Sequence, residues 1–387
     1  MARKPHLSEA LAGARKRTDE LFGLLVPGAL YDRPIPERHR NIFYLGHLEA
    51  FDWNLICRRG LQTPSFHSEF DKLFEFGIDP PVGRMPEDQP SDWPSVGEIA
   101  RYNARVREGI DRALEQDEAP DQFWHVAIEH RLMHAETLAY MLHNLDPERK
   151  IAPSGTVAPT GGSAVSPSSI EVPAGPAILG RRRGNGFGWD NEFDEHTVEM
   201  PAFAMSKYKV TNGEYLEFVR AGADPPYFWV RRGDQWFQRT MFGVVPLPAA
   251  WPVYVTHQQA SAYAKWAGKQ LPTEAQFHRA SYGSPNGVGN YDFRFWDPVP
   301  VTDSSSEGFA QLSGNGWEWT STVFQPFAGF EPFPFYPGYS ANFFDGEHYV
   351  LKGASARTAA CFLRRSFRNW FRPDYPYVYA AFRCVEN

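Results

Sequence analysis

Glu129-His130-Arg131-Leu132-Met133-His134-Ala135-Glu136 is the stretch on which the reading of this 387-residue chain turns. It sits inside a run with helical periodicity. Residues four apart on a helix share a face, so His130 and His134 project in one direction. The same row continues through Ala127, Leu138, Met141 and Leu145, which puts both imidazoles on an apolar, inward-facing stripe. Two polar rings in that position are either hydrogen-bonded to neighbouring helices or share a metal ion. A third ligand is needed to decide.

Upstream, Ser8 is expected to cap a helix carrying Leu11, Leu21, Phe22, Leu24 and Leu25, closed by Pro27-Gly28. A second helix follows Pro36; its stripe is Tyr44, His47, Phe51 and Leu55, and Arg58-Arg59-Gly60 suits its C-terminus. Ser95 with Glu98 forms a capping box ahead of Ile99, Tyr102, Val106, Ile110 and Ala113. With the helix of His130 and His134 this predicts a four-helix bundle over residues 1–150, an architecture that builds metal sites from facing helices. His47, His130 and His134 then supply three neutral nitrogen ligands and leave other positions open, a set that suits zinc or ferrous iron. Glu136 lies about 200° around the helix from His134 and is read as a supporting group. Glu49 and Asp52 could orient the ring of His47, but a solvated face is the expectation. His39, His67, His125 and His143 fall off the inward row and are read as surface or capping groups.

Composition narrows the function. Aromatic residues make up 15% of the chain, and nine of the twelve tryptophans follow residue 169, as in a loop-rich fold held by large buried rings. The net charge of -7, without a basic run or a phosphate-binding loop, argues against nucleic acid as a partner. Cys57, Cys361 and Cys384 are odd in number and widely spaced, which fits neither a disulfide framework nor a structural zinc site. No signal-peptide pattern and no apolar run long enough to span a bilayer is found, so a cytoplasmic protein without a membrane partner is expected. Nothing points to an obligate protein partner.

Residues 151–169 are rich in Pro, Gly, Ser, Thr and Ala and read as a linker. Residues 170–387 mix short strands, such as Ile170-Glu171-Val172 and Ala177-Ile178-Leu179, with helices announced by three capping boxes. These are Thr211 with Glu214, Thr256 with Gln259 and Thr273 with Gln276. The fold class is therefore α+β in two domains.

Five ordered blocks in this half carry a resemblance: Phe187-Gly188-Trp189-Asp190-Asn191-Glu192, Val210-Thr211-Asn212-Gly213-Glu214-Tyr215, Leu271-Pro272-Thr273-Glu274-Ala275, Gly314-Asn315-Gly316-Trp317-Glu318-Trp319-Thr320 and Ser366-Phe367-Arg368-Asn369-Trp370. They resemble the formylglycine-generating-enzyme (FGE-sulfatase) domain, a C-type-lectin-like fold, and most of them, including Gly314, Thr273, Trp317 and Trp319, are expected to be scaffold. Joined to a DinB-like bundle with a His-x3-His-x-Glu motif, nearly the whole chain resembles the ergothioneine-biosynthetic sulfoxide synthases, or hercynine oxygenases. That resemblance implies Fe(2+) held by His47, His130 and His134, with O2 as co-substrate and the second domain completing the cleft. It implies formation of a bond between the imidazole C2 of hercynine (trimethylhistidine) and the sulfur of cysteine or gamma-glutamylcysteine, giving a sulfoxide.

The resemblance further implies that Tyr336 or Tyr339 is a proton donor and that Asn369 and Trp370 bind the substrate betaine. An indole face attracts a quaternary ammonium. Arg84, Arg368 and Arg372 are candidate carboxylate clamps, with buried pairing the alternative for Arg368. Three positions depart from the family pattern: Met133 replaces a glutamine, Phe371 replaces an aspartate that binds the thiol substrate's amine, and Leu73-Phe74 stands where a related branch carries two tyrosines. A selenoneine synthase, joining a seleno-sugar to hercynine, is therefore the alternative. A formylglycine-generating enzyme would need cysteines where this chain has Thr358 and Leu363, with Cys361 off register.

Overall fold

A computed structural model describes residues 4–78, 85–156, 162–282, 289–303 and 308–386. The chain divides into two compact units, Met1–Gly155 and Thr156–Asn387. The expected α+β class holds.

The first unit is helical. Helix α1 (Pro5–Phe22) begins at Pro5 and not beyond Ser8: proline tolerates the first turn, where an N–H would have no partner, so no side-chain cap is required. Helix α2 (Asn41–Asp52) continues without a break into a wider turn, Trp53–Gly60, in which Leu61 N–H reaches back to Ile56 O. A further helix absent from the sequence reading, α3 (Ser68–Phe76), has His67 as its cap, the ring Nδ1 accepting from Phe70 N–H. Helix α4 (Val96–Gln116) starts at the expected Ser95/Glu98 box and buries Ile99, Tyr102, Val106, Ile110 and Ala113. The long helix α5 (Asp121–His143) buries Ala127, His130, Leu138 and Met141. Helix α1 packs along α5, and α2 lies against α3, α4 and α5.

The second unit consists of small sheets joined by irregular loops. Strand β1 (Ser169–Val172) pairs with β4 (Phe203–Ser206), which also pairs with β12 (Val385–Glu386). Strands β2 (Gly175–Leu179) and β3 (His196–Met200) form a two-stranded sheet. Strands β5 (Trp229–Arg232), β6 (Gln235–Arg239) and β7 (Val244–Pro246) form a meander. The sheet that matters most has the order β10-β9-β8-β11, from β8 (Gly316–Val323), β9 (Tyr349–Ala354), β10 (Asn369–Phe371) and β11 (Ala380–Ala381). Helices α6 (Asn212–Arg220), α7 (His257–Trp266) and α8 (Glu274–Ala280) all begin at the predicted capping boxes.

Burial explains the Trp-rich composition: Trp189, Trp251 and Trp319 are fully buried, and the indole N–H of Trp319 donates to Val255 O at 2.9 Å. Gly314 has φ +91°, and a Cβ there would lie 2.6 Å from Asn290 O, so the Gly314–Thr320 block can enter the core only with glycine at its start. Three buried carboxylates cross-link this unit. Glu318 holds Lys209 and Arg383, Glu274 holds Arg368 at 3.1 Å with Lys352 at 3.7 Å, and Glu192 holds Arg364 at 2.6 Å.

Candidate metal centre and aromatic site

His47 projects from the middle of α2, and His130 and His134 from consecutive turns of α5. Their ligand nitrogens all lie within 4.8 Å of one another, and among the described residues this is the one group of His, Cys, Asp or Glu side chains placed to hold an ion. The ring centroids are 4.5 to 5.2 Å apart. Aromatic residues wall the group: Phe51 stacks on His130 at 3.5 Å, Phe43 stacks on His47 at 4.7 Å, and Tyr44 sits 5.6 Å from His134. All three come from α2, at helical spacing around His47.

Burial dominates the electrostatics. It pushes His47 down to about 4, against an opposing hydrogen bond to the Phe74 carbonyl. Burial likewise holds His130 and His134 well below the ordinary histidine value, with the neighbouring imidazoles and Arg131 adding to the effect. All three rings are therefore neutral near pH 7, the form that donates a lone pair to a metal. The bond from His47 Nδ1 to Phe74 O is 2.6 Å, so Nδ1 carries the proton and Nε2 is left as donor. His134 Nδ1 is buried without a hydrogen-bond partner, an arrangement that core packing alone does not explain. Three convergent neutral nitrogens fit a metal ion.

Phe74 reaches its place through Gly46: a Cβ on Gly46 would lie 2.4 Å from the Phe74 ring. Close approach of α3 to α2 therefore needs glycine beside His47. This support was missed in the sequence because the acceptor is main chain. Glu49 and Asp52 correct the expectation of a solvated face. They are 1% and 0% exposed and bind Arg131, at 3.0 and 2.6 Å, instead of the His47 ring. Glu136 lies outside the three-nitrogen group.

In the second unit, Trp370 on β10 stacks on Phe324 at 4.3 Å and 6°, with Tyr339 edge-on at 5.4 Å and Phe343 at 5.6 Å. Tyr339 is itself stacked on Trp189 at 3.9 Å, and Tyr336 lies one ring further, 5.7 Å from Tyr339. Ser340 Oγ donates to Asp190 at 2.6 Å, which ties the tyrosine segment to the Phe187–Glu192 block. Burial, then the nearby Asp190, pushes Tyr336 up to about 12. The structure thus brings Tyr339 into T-shaped contact with Trp370. Asn369 Oδ1 accepts from Trp370 N–H at 2.9 Å.

The arginine candidates separate. Arg368 is 2% exposed; it donates to both carboxylate oxygens of Glu274 and to the carbonyls of Asn191 and Gln325, and it packs over Phe327. Its reading as a clamp gives way to buried pairing, because these contacts occupy it inside the core. Arg372 is exposed and pairs with Glu347 and Asp345. Arg84 lies outside the described residues.

Residues 156–387 match the sulfatase-modifying factor enzyme 1-like (FGE-sulfatase) domain family. The chain is 31% identical to the hercynine oxygenase of Mycolicibacterium smegmatis, with 100% of this chain and 99% of the relative covered. By that end-to-end match, the chain belongs to the hercynine oxygenase family. Ergothioneine biosynthesis protein 1 is 27% identical in Neurospora crassa and 28% in Schizosaccharomyces pombe, over 92% and 94% of this chain. The chain spans about half the length of these two fungal proteins, 55% and 54%. Among the described residues, no helix is long and apolar enough to cross a membrane.

Proposed function

We propose that the protein is an O2-dependent, non-haem iron(II) sulfoxide synthase that joins imidazole C2 of hercynine to the sulfur of a small thiol in the cytoplasm. The observation that carries this reading is the convergent group of three neutral histidines, two of them buried, on a chain that matches a hercynine oxygenase from end to end. His47, His130 and His134 would hold ferrous iron, which supplies the redox chemistry of dioxygen. In the overall reaction one oxygen atom ends on sulfur, while the other leaves as water with the C2 and thiol hydrogens.

The protein's own residues have separable tasks. The Phe74 carbonyl orients His47, and the Phe43, Tyr44 and Phe51 rings surround the histidines with apolar surface. Trp370, backed on one face by Phe324, offers its indole to the trimethylammonium group. Tyr339, in direct contact with that indole, is the better placed of the two tyrosines to donate a proton near the substrate.

The donor has a second reading. Phe371 stacks nearly parallel to Tyr375 at 5.4 Å and 8° and, unlike an aspartate, brings no carboxylate to pair with an ammonium group. This favours a donor such as a seleno-sugar over cysteine. A formylglycine-generating enzyme is disfavoured because Thr358 and Leu363 carry no thiol and Cys361 is exposed.

The test is oxygen uptake with hercynine and a panel of cysteine, gamma-glutamylcysteine and seleno-sugars, with products read by mass spectrometry. Hercynine-dependent uptake is expected with one donor class; no uptake with any would discard the activity. Anaerobic iron titration of His134→Ala should show affinity lost by at least ~100-fold. Unchanged affinity would remove the metal assignment.

A further inference from the structure

The strongest feature that the proposed chemistry leaves unused is a buried ion cluster in the helical unit. Arg131 is 1% exposed and immediately follows His130 on α5. Its guanidinium donates to Glu49 Oε1 at 3.0 Å, Asp52 Oδ2 at 2.6 Å and the Leu48 carbonyl at 3.0 Å, all on α2. It also reaches Thr18 Oγ on α1 at 3.5 Å. Arg107 on α4 joins through Glu49 Oε1 at 2.8 Å and is held in turn by Asp19 at 2.7 Å. One cluster therefore ties α1, α2, α4 and α5 together.

Its place along the helices is specific. Leu48 and Glu49 directly follow His47, and Arg131 directly follows His130, so the cross-link closes one residue from two proposed ligands. Adjacent helical residues point about 100° apart, so the cluster lies beside the imidazoles without entering their group. A buried ion cluster is weak evidence for net stability, because desolvation offsets its attraction and apolar replacements are often neutral. Its best-attested use is to fix register. Sliding α5 along α2 by even a fraction of a turn would break three directed hydrogen bonds and pull His130 and His134 away from His47.

We propose that Arg131, with Glu49 and Asp52, is the positioning cluster of the metal site, fixing the register of α5 against α2 so that the three histidines meet at bonding distance. The inference rests on the metal assignment of the proposed function. It concerns how the site is built, not what the site turns over.

The experiment uses the full chain with all charges of the core triad removed together, Glu49→Gln, Asp52→Leu and Arg131→Met, so that no buried charge is left without a partner. Three quantities are read: the thermal midpoint of the metal-free protein, the affinity for Co(II) and Fe(II) under anaerobic conditions, and the ligand-field absorption of bound Co(II). A positioning role predicts a midpoint near that of the wild type, affinity weakened roughly 10- to 100-fold, and an altered cobalt spectrum. Unchanged affinity and spectrum would overturn it. If the triple variant fails to fold, Arg131→Lys keeps the charge and loses the fork. The same two metal readouts then decide, and wild-type values in both overturn the proposal. A wild type that binds neither metal at these histidines would sink this inference and the metal assignment together. Metal readouts as expected, with no hercynine-dependent oxygen uptake, would support the positioning role and count against the proposed reaction alone.

Discussion

Three imidazoles in the helical unit are buried side by side, neutral and aimed at one another, within 4.8 Å. In the C-terminal unit three buried carboxylates are already matched: Glu192 with Arg364, Glu274 with Arg368, and Glu318 with Lys209 and Arg383. The first arrangement concentrates donors that need something added, and the second satisfies itself. Burial of polar groups thus accompanies a candidate metal site at the three histidines and a scaffold at the paired carboxylates. What separates them is whether the chain itself supplies the partner.

The contrast can be broken most forcefully at Arg368. Arg368→Met leaves Glu274 in the core with Lys352 at 3.7 Å and His278 at 3.9 Å as its remaining neighbours, and a loss of about 3–5 kcal/mol is expected. Chemical denaturation should show it, while metal affinity at the histidines stays near wild type. A variant as stable as the parent would mean that Arg368 is not scaffold.

Gly46→Ala tests the other side. The added methyl must displace the Phe74 ring, a cost of about 1–3 kcal/mol, and should weaken metal binding by disturbing the carbonyl that orients His47. A loss of stability with metal affinity untouched would separate Phe74 from the site. Trp370→Ala should raise the hercynine requirement by about tenfold, the order of one desolvated cation–π contact, and leave metal affinity unchanged. Calorimetry with hercynine checks this, and equal affinity in the variant would remove the indole from the binding site.

The smallest effect concerns acid. Burial alone would raise Glu192, but Arg364, with help from Ser366 and the Trp189 N–H, holds it below the ordinary glutamate value. A carboxyl depressed in the folded state contributes stability above its unfolded pKa of about 4.5 and loses it as pH falls through the lower folded value. Arg364→Gln should therefore move the acid unfolding transition to higher pH, by roughly half a unit or more. An unmoved transition would show that this pair does not govern acid stability.

Much of this was legible in the sequence. Helical spacing placed His47, His130 and His134 on inward rows, and the capping boxes at Ser95, Thr211, Thr256 and Thr273 marked four helix starts, because each signal is local. Helix α3 escaped notice: it is nine residues long and capped by a histidine instead of Ser, Thr, Asp or Asn. Glu49 and Asp52 read as solvated because charged residues usually are, and their partner Arg131 lies 82 and 79 positions away. Arg368 stayed open between a clamp and buried pairing because its block resembles a substrate site, whereas its carboxylate partner sits 94 residues earlier. What sequence conceals here is pairing over long separations.

The bond from His47 to the Phe74 carbonyl has an evolutionary consequence. An acceptor that belongs to the main chain cannot be deleted by a point mutation, so the orientation of this imidazole does not depend on the identity of residue 74. Substitution at position 74 is limited instead by the room above Gly46 and by burial against Phe70 and Tyr102. Lineages could thus exchange this side chain for others that fill the same buried space without first surrendering the histidine's alignment.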